Sequence, residues 1–359
     1  MVRPWSIVAL MVIGVIGVAG CYSPTPAAGG QCGSNGACPS PLVCATATNT
    51  CEGTRGVDAP EPADSSHDAR RIDGCTPTVE ICGDGIDQDC DGSDATCPPN
   101  DRPSDPVDVT AGGTFTADVR FAHDDAAPAS NSGCGNGGGR DVFYAVQLDV
   151  PTVYYFDTLG SNFDSVIRVT PGHVCDSSIP SAVTCADDAC GTSQSQLALS
   201  LPVGPSCIIV DQRSSATTSG NLVLKVIPGG RDGAALAFGD HTTTNNTCGA
   251  TNVDEPAQAN CDTPGSGGKD RGYFITACPG QDLKLDASTC DVTTDYDSVL
   301  YAYRVGGSQL ACNNDNCTTV SGASSFANGS LKNGLLYWLI VDGFSLADCG
   351  DYKLTTSLR

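Results

Sequence analysis

Asp84, Asp87, Asp89, Asp91 and Asp94 crowd into eleven residues of this chain. Asp87-x-Asp89-x-Asp91-Gly92 has the opening of a calcium loop, in which alternate carboxylates fold inward around a hard cation and the glycine permits a sharp turn. An EF-hand would place a bidentate Glu eleven residues after Asp87. That position is Pro98, no helical pattern flanks the loop, and Cys90 sits inside it. Calcium is the expected ion, because the ligands on offer are all oxygen. Copper ranks second, since it prefers histidine or free thiolate. The competing expectation is an acidic, disulfide-held turn that binds nothing tightly.

A second set of acids recurs further on. Asp164 and Asp297 open a strand, Asp211 and Asp342 close one, and Asp187, Asp188 and Asp315 lie on cysteine-flanked loops. Asp164, Asp187, Asp188, Asp297 and Asp315 form a candidate second metal set, weighed against ordinary turn chemistry, in which Asp and Asn bond their own backbone. Catalytic motifs are missing: the sequence has no Gly-x-Ser-x-Gly, no His-Glu-x-x-His and no phosphate loop. A non-catalytic protein is expected, with accessory domains of an unrecognised secreted hydrolase as the lesser alternative. The formal charge is -23, with 18 Lys and Arg against 41 Asp and Glu. No basic patch exists, which argues against nucleic acid and anionic lipid headgroups as partners.

Cysteine number decides the compartment. There are 21. Setting Cys21 aside leaves four between Cys32 and Cys51, four between Cys75 and Cys97, five between Cys134 and Cys207 and seven between Cys248 and Cys349. With no Cys-x-x-Cys and only scattered histidines, these read as disulfides of an exported protein rather than zinc ligands. Cys185/Cys190 and Cys312/Cys317 share one spacing, so each pair is expected to close its own loop. The odd numbers in the last two groups imply one disulfide between them, with Cys248 as the expected donor.

The elements that carry these residues follow in order. Residues 1–20 have a positive start at Arg3 and an apolar run too short to span a bilayer, the pattern of an export signal. Residues 21–31 form a tether and 32–51 a small Cys-rich module. The 52–74 stretch is a linker with almost no apolar side chains. The acidic module covers 75–97, and 98–109 is a proline-rich hinge, semi-rigid and extended. The remainder is a tandem repeat, 110–229 and 230–359. Phe163-Asp164-Ser165-Val166 matches Tyr296-Asp297-Ser298-Val299, and Ile209-Val210-Asp211 matches Ile340-Val341-Asp342. Val142, Tyr144, Val146 and Leu148 alternate, as do Leu197, Leu199 and Leu201, and Leu222, Leu224 and Val226. Val299, Tyr301 and Tyr303 repeat the pattern, and so do Tyr352 and Leu354. Short alternating runs between Gly, Pro, Asn and Asp predict half-buried strands. The expected fold is all-β: two tandem antiparallel β-sandwiches, jelly-roll-like, behind small disulfide-rich modules.

Three resemblances add to this. Val18-Ala19-Gly20-Cys21 resembles the lipobox of bacterial lipoproteins, which implies acylation of Cys21, cleavage before it, and a lipid anchor in a membrane, by default the outer membrane. Cys82-Gly83-Asp84-Gly85-Ile86-Asp87-x-Asp89-Cys90-Asp91-Gly92 resembles short repeats of bacterial surface proteins described as metal-binding motifs. The two repeat units, through Asp141-Val142-Phe143-Tyr144 and Val341-Asp342-Gly343, resemble bacterial pre-peptidase C-terminal domains. That implies non-catalytic appendages for surface attachment or polymer binding, some of which take calcium. The partners implied are the membrane through the lipid, and polysaccharide or cell-surface protein. A calcium-stabilised structural envelope protein is the runner-up.

Overall fold

The computed structural model describes residues 31–33, 35–38, 42–46, 49–52, 76–78, 80–126, 138–176, 184–214, 220–257, 261, 268–318 and 325–359. The export signal, Cys21, the tether up to 30 and the linker from 53 to 74 lie outside them. The chain divides into two compact units, 1–69 and 70–359. No helix among the described residues is long and apolar enough to cross a membrane.

In the first unit a minimal hairpin pairs β1 (Val43–Ala45) with β2 (Thr50–Glu52), register Cys44 opposite Cys51. Cys32–Cys44 and Cys38–Cys51 cross-link it. So short a segment has no core of its own, and the two bridges take the place of one.

The second unit is all-β. Its first sandwich uses β3 (Val107–Asp108), β4 (Gly113–Asp118), β5 (Asp141–Leu148), β6 (Thr152–Asp157), β7 (Ser165–Pro171), β8 (Thr184–Ala186), β9 (Gln196–Leu201), β10 (Gly204–Gln212) and β11 (Asn221–Pro228). They form a five-stranded sheet, β3-β5-β10-β7-β8, and a four-stranded sheet, β4-β11-β6-β9. The second sandwich uses β12 (Ala234–Ala235), β13 (Gly239–Asn246), β14 (Arg271–Thr276), β15 (Leu283–Ser288), β16 (Ser298–Arg304), β17 (Gln309–Asn314), β18 (Ser325–Leu331), β19 (Leu336–Gly343) and β20 (Asp351–Leu358). Its sheets are β12-β14-β19-β16-β17 and β13-β20-β15-β18, the first topology repeated strand for strand. Pairing is antiparallel except at the short edge strands β3 and β12, which run parallel to β5 and β14.

The predicted alternation places side chains correctly in the first sandwich. Val142, Tyr144, Val146 and Leu148 meet Leu222, Leu224 and Val226 in its core. In β16 it does not. Leu300 and Ala302 face the second core, whereas Val299, Tyr301 and Tyr303 belong to a third apolar cluster. That cluster lies between the sandwiches. Val153 and Tyr155, on the outer face of the first four-stranded sheet, pack with Phe274, Trp338 and Ile340 on the outer face of the second five-stranded sheet. Four sheets are therefore stacked in one block, and β16 and β19 are buried on both faces, where alternation carries no information.

The junction is pinned in several ways. Trp338 Nε1 donates to the carbonyl of Gly229 at 2.9 Å, and the Arg231 guanidinium lies 5.5 Å from the Trp338 ring. Gln196 Nε2 donates to Ala277 O at 3.0 Å. Cys190–Cys278 joins the two sandwiches covalently. This corrects the expected donor: Cys248 pairs with Cys349 inside the second sandwich. The expected loop-closing pairs are also corrected. Cys190 reaches Cys278, Cys312 pairs with Cys261, and Cys317 pairs with Cys290, while Cys185 is bonded to a cysteine outside the described residues. The remaining described bridges are Cys82–Cys97 and Cys175–Cys207.

The expected hinge at 98–109 is docked. Asn100 exchanges bonds with Phe143: its side chain donates to Phe143 O at 3.0 Å, and Phe143 N donates to Asn100 O at 2.9 Å. Asp101 accepts from His123 N at 2.7 Å, and its other oxygen lies 2.6 Å from His123 Nδ1. The extended, proline-rich backbone suits a sheet edge, and Val107–Asp108 supplies one.

Candidate cation site and buried acid clusters

The acidic module folds around Glu80, a residue outside the aspartate run. Glu80 is buried, and its Oε2 accepts from Gln88 N at 3.0 Å and Asp89 N at 2.8 Å, while Oε1 accepts from Ala95 N at 3.2 Å. Each aspartate caps a turn in the same way. Asp84 takes Ile86 N, Asp91 takes Ser93 N, and Asp94 takes Gly83 N and Gly85 N. Asp87 accepts from Asp91 N at 3.0 Å and Gly92 N at 2.8 Å, and Asp89 accepts from Asp91 N at 3.1 Å. Gly92 at φ 104° and Cys90 at φ 64° supply the left-handed turns this winding needs. Cys90 is held there by its disulfide.

Of the five predicted ligands, the structure brings together Asp87 and Asp89. They join Glu80, with one oxygen from each within 4.8 Å of the others. Asp84, Asp91 and Asp94 are not in the group. Burial raises the Asp89 carboxyl above its ordinary range, opposed by the bond from Asp91 N and reinforced by the charges of Asp91, Glu80 and Asp87. Three converging oxygens of like charge fit a hard divalent cation, which would relieve that repulsion. Nothing in the aspartate spacing pointed to Glu80.

Two other groups contain cysteines: Cys82 and Cys97 with Asp101 and His123, and Cys32, Cys38 and Cys51 by themselves. Their sulfurs are in disulfides and offer no thiolate.

The second predicted set divides by sandwich. Asp164, Asp187 and Asp188 converge within 4.8 Å. Arg213 already stands among them, its Nη1 3.2 Å from Asp187, 3.5 Å from Asp188 and 3.9 Å from Asp164. In the second sandwich Phe344 takes the place of Arg213: Phe344 N bonds Asp297 O at 2.9 Å as Arg213 N bonds Asp164 O at 3.0 Å. Asp297 is raised by burial and then by Asp315 and Asp348, but these three form no ligand group among the described residues.

A further acid cluster sits at the head of each five-stranded sheet. Asp141 and Asp211 face each other across β5 and β10, both fully buried. Asp211 pairs with Arg168, and Asp141 accepts from Asp125 N at 3.1 Å and Ala126 N at 2.9 Å. Burial pushes Asp141 up to about 8 and Asp211 up to about 7. In the second copy Asp270 and Asp342 take these places. Asp270 accepts from Val253 N at 2.6 Å and Asp254 N at 3.1 Å, and Tyr301 stands where Arg168 stood, its hydroxyl 3.3 Å from Asp342. These carboxylates clamp the loops that enter β5 and β14.

No protein-family model and no curated protein matches the chain. Solved structures give weak likenesses. The pre-peptidase C-terminal domain of collagenase from Bacillus anthracis has 13% identity and a TM-score of 0.23, covering 36% of this chain and 95% of that domain. The CUB1-EGF-CUB2 domains of rat MASP-1 have 10% identity and a TM-score of 0.20, covering 70% and 99%. A triple jelly roll protein of an archaeal virus has 10% identity and a TM-score of 0.20, covering 69% and 59%.

Proposed function

We propose that this is an exported, non-catalytic surface protein that presents two β-sandwiches as one binding or adhesion block, anchored through lipid on Cys21. The observation that carries the reading is the covalent and apolar fusion of the sandwiches through Cys190–Cys278 and the Trp338 layer. Eleven disulfide-bonded cysteines within the paired sandwiches alone, from Cys175 to Cys349, suit an oxidising compartment. A rigid block presents its loop ends in fixed relation, which lowers the ordering cost of binding an extended partner. Polysaccharide or a cell-surface protein is the partner class. Two acyl chains or more would hold such a block stably at a membrane.

The Glu80, Asp87 and Asp89 group takes calcium in this reading. A calcium-stabilised envelope role is the second reading, favoured by carboxylates that tie the module's own turns together, so that an ion held there would act on stability. Radiolabelled palmitate should enter the wild-type protein and not Cys21→Ser. Retention of the purified chain on cell-wall polysaccharide or intact cells should exceed that of an unrelated acidic protein. No palmitate label would remove the anchor, and no retention would leave the envelope role.

A further inference from the structure

The second sandwich has a cleft of about 380 Å³ beside the junction, walled in part by Gly249, Thr251, Val253, Asn245 and Arg271. Its charges are mostly spent. Arg231 is paired with Asp254 and Asp270. Asp270 also takes two backbone N–H groups, and Asp232 takes the Ser200 hydroxyl and Gly233 N. Arg271 is the exception. Its Nε donates to Asn246 O at 3.1 Å, and its terminal amino groups meet no acceptor among the described residues. One of them lies 3.8 Å from where a Cβ on Gly249 would stand, so the missing side chain leaves the guanidinium open to the cleft. Lys269 bonds the residue before Gly249, its ammonium 2.6 Å from Cys248 O. The first sandwich has Val142 and Phe143 where the second has Arg271 and Gly272, so this cleft belongs to one copy alone.

We infer that this cleft binds a small carboxylate-bearing ligand of the uronic-acid or hydroxy-acid class. The planar fork of Arg271 matches a carboxylate through two parallel bonds. A single negative charge suits it better than phosphate, because Asp232 and Asp270 stand nearby. Thr251 and Asn245 offer a hydroxyl and an amide to the ligand's hydroxyl groups, and Val253 an apolar edge. The inference rests on the reading of the sandwiches as binding domains and gives it a ligand class.

Sodium glucuronate and glucose, at matched ionic strength, are titrated into the full chain and followed by calorimetry and amide chemical shifts. Glucuronate should bind saturably and glucose should not. Arg271→Gln and Arg271→Lys should each weaken binding about tenfold or more, the loss of one charge-assisted bidentate contact. Gly249→Val, which keeps Arg271 and fills the opening, should do the same. Thermal unfolding checks that each variant folds, and if Arg271→Gln does not, the other two decide. Equal binding by the folded variants and wild type would overturn the site. So would equal binding of glucose and glucuronate, or no saturable glucuronate binding. If the wild-type chain is nonetheless retained on polysaccharide, the binding reading stands and only the ligand class falls.

Discussion

Glu80 organises the acidic module from a position two residues before its first described cysteine. Its loss would leave three partly buried backbone N–H groups without that acceptor, at a cost below the roughly 1–3 kcal/mol of a fully buried group each. Asp89 is the better probe of cation binding, because asparagine keeps an acceptor for Asp91 N while removing a charge. Calcium in excess over chelator should raise the melting temperature of the wild-type chain. At a hundredfold excess over the dissociation constant the gain is about 2.7 kcal/mol, and Asp89→Asn should lose most of it. Equal melting temperatures in calcium and chelator would reduce Glu80, Asp87 and Asp89 to turn chemistry. Arg213 makes a contrasting prediction. Asp164, Asp187 and Asp188 already hold its guanidinium, so Asp164→Asn should leave the calcium response unchanged.

Asp141 and Asp211 give the pH dependence its sign. Their carboxyls are raised to about 8 and about 7, against 3.8 for the free side chain. Between those limits the folded chain holds protons that the unfolded chain has released. Their contribution to stability is therefore fully present below about pH 4 and is lost as pH rises toward 8. Thermal unfolding should show a lower melting temperature at pH 8 than at pH 5. Asp141→Asn, which keeps an acceptor for the loop amides, should flatten that fall. A melting temperature that rises from pH 5 to 8, with no change in Asp141→Asn, would contradict the assignment.

At the scale of elements, the repeat and most of its strands were legible because period-2 alternation reports directly on a half-buried face. Val142 to Leu148 and Leu222 to Val226 point where that pattern places them. The pattern fails in β16 and β19, since a strand between two apolar layers has no solvent face to mark. The proline-rich stretch at 98–109 looked free by composition, yet its value to the fold lies in backbone pairing, which composition does not express. Disulfide partners were not legible either, because many connectivities satisfy one spacing. Cys190–Cys278 closes 88 residues of chain. Replacing both cysteines with serine should cost about 2–4 kcal/mol in denaturant unfolding, with the midpoint lowered. A change within error would show that the apolar layer alone holds the junction.

At the scale of the whole molecule, the proposed function rests on the fusion of two sandwiches into a single block. Trp338 is the largest side chain in the shared layer, fully buried, bonded to Gly229 and stacked with Arg231. Trp338→Ala removes that volume and leaves the Gly229 carbonyl unpaired, at a cost of about 3–5 kcal/mol. The odd cysteine counts implied the inter-unit disulfide, but the apolar layer was not visible in the sequence, where Trp338, Arg231 and Tyr155 lie far apart and each resembles an ordinary strand or linker residue. Differential scanning calorimetry of the oxidised full chain tests the fusion most directly. Both sandwiches should unfold in one cooperative transition, with calorimetric and van't Hoff enthalpies in agreement. Trp338→Ala should lower or split that transition. Two separate transitions in the wild-type chain, one for each sandwich, would contradict it.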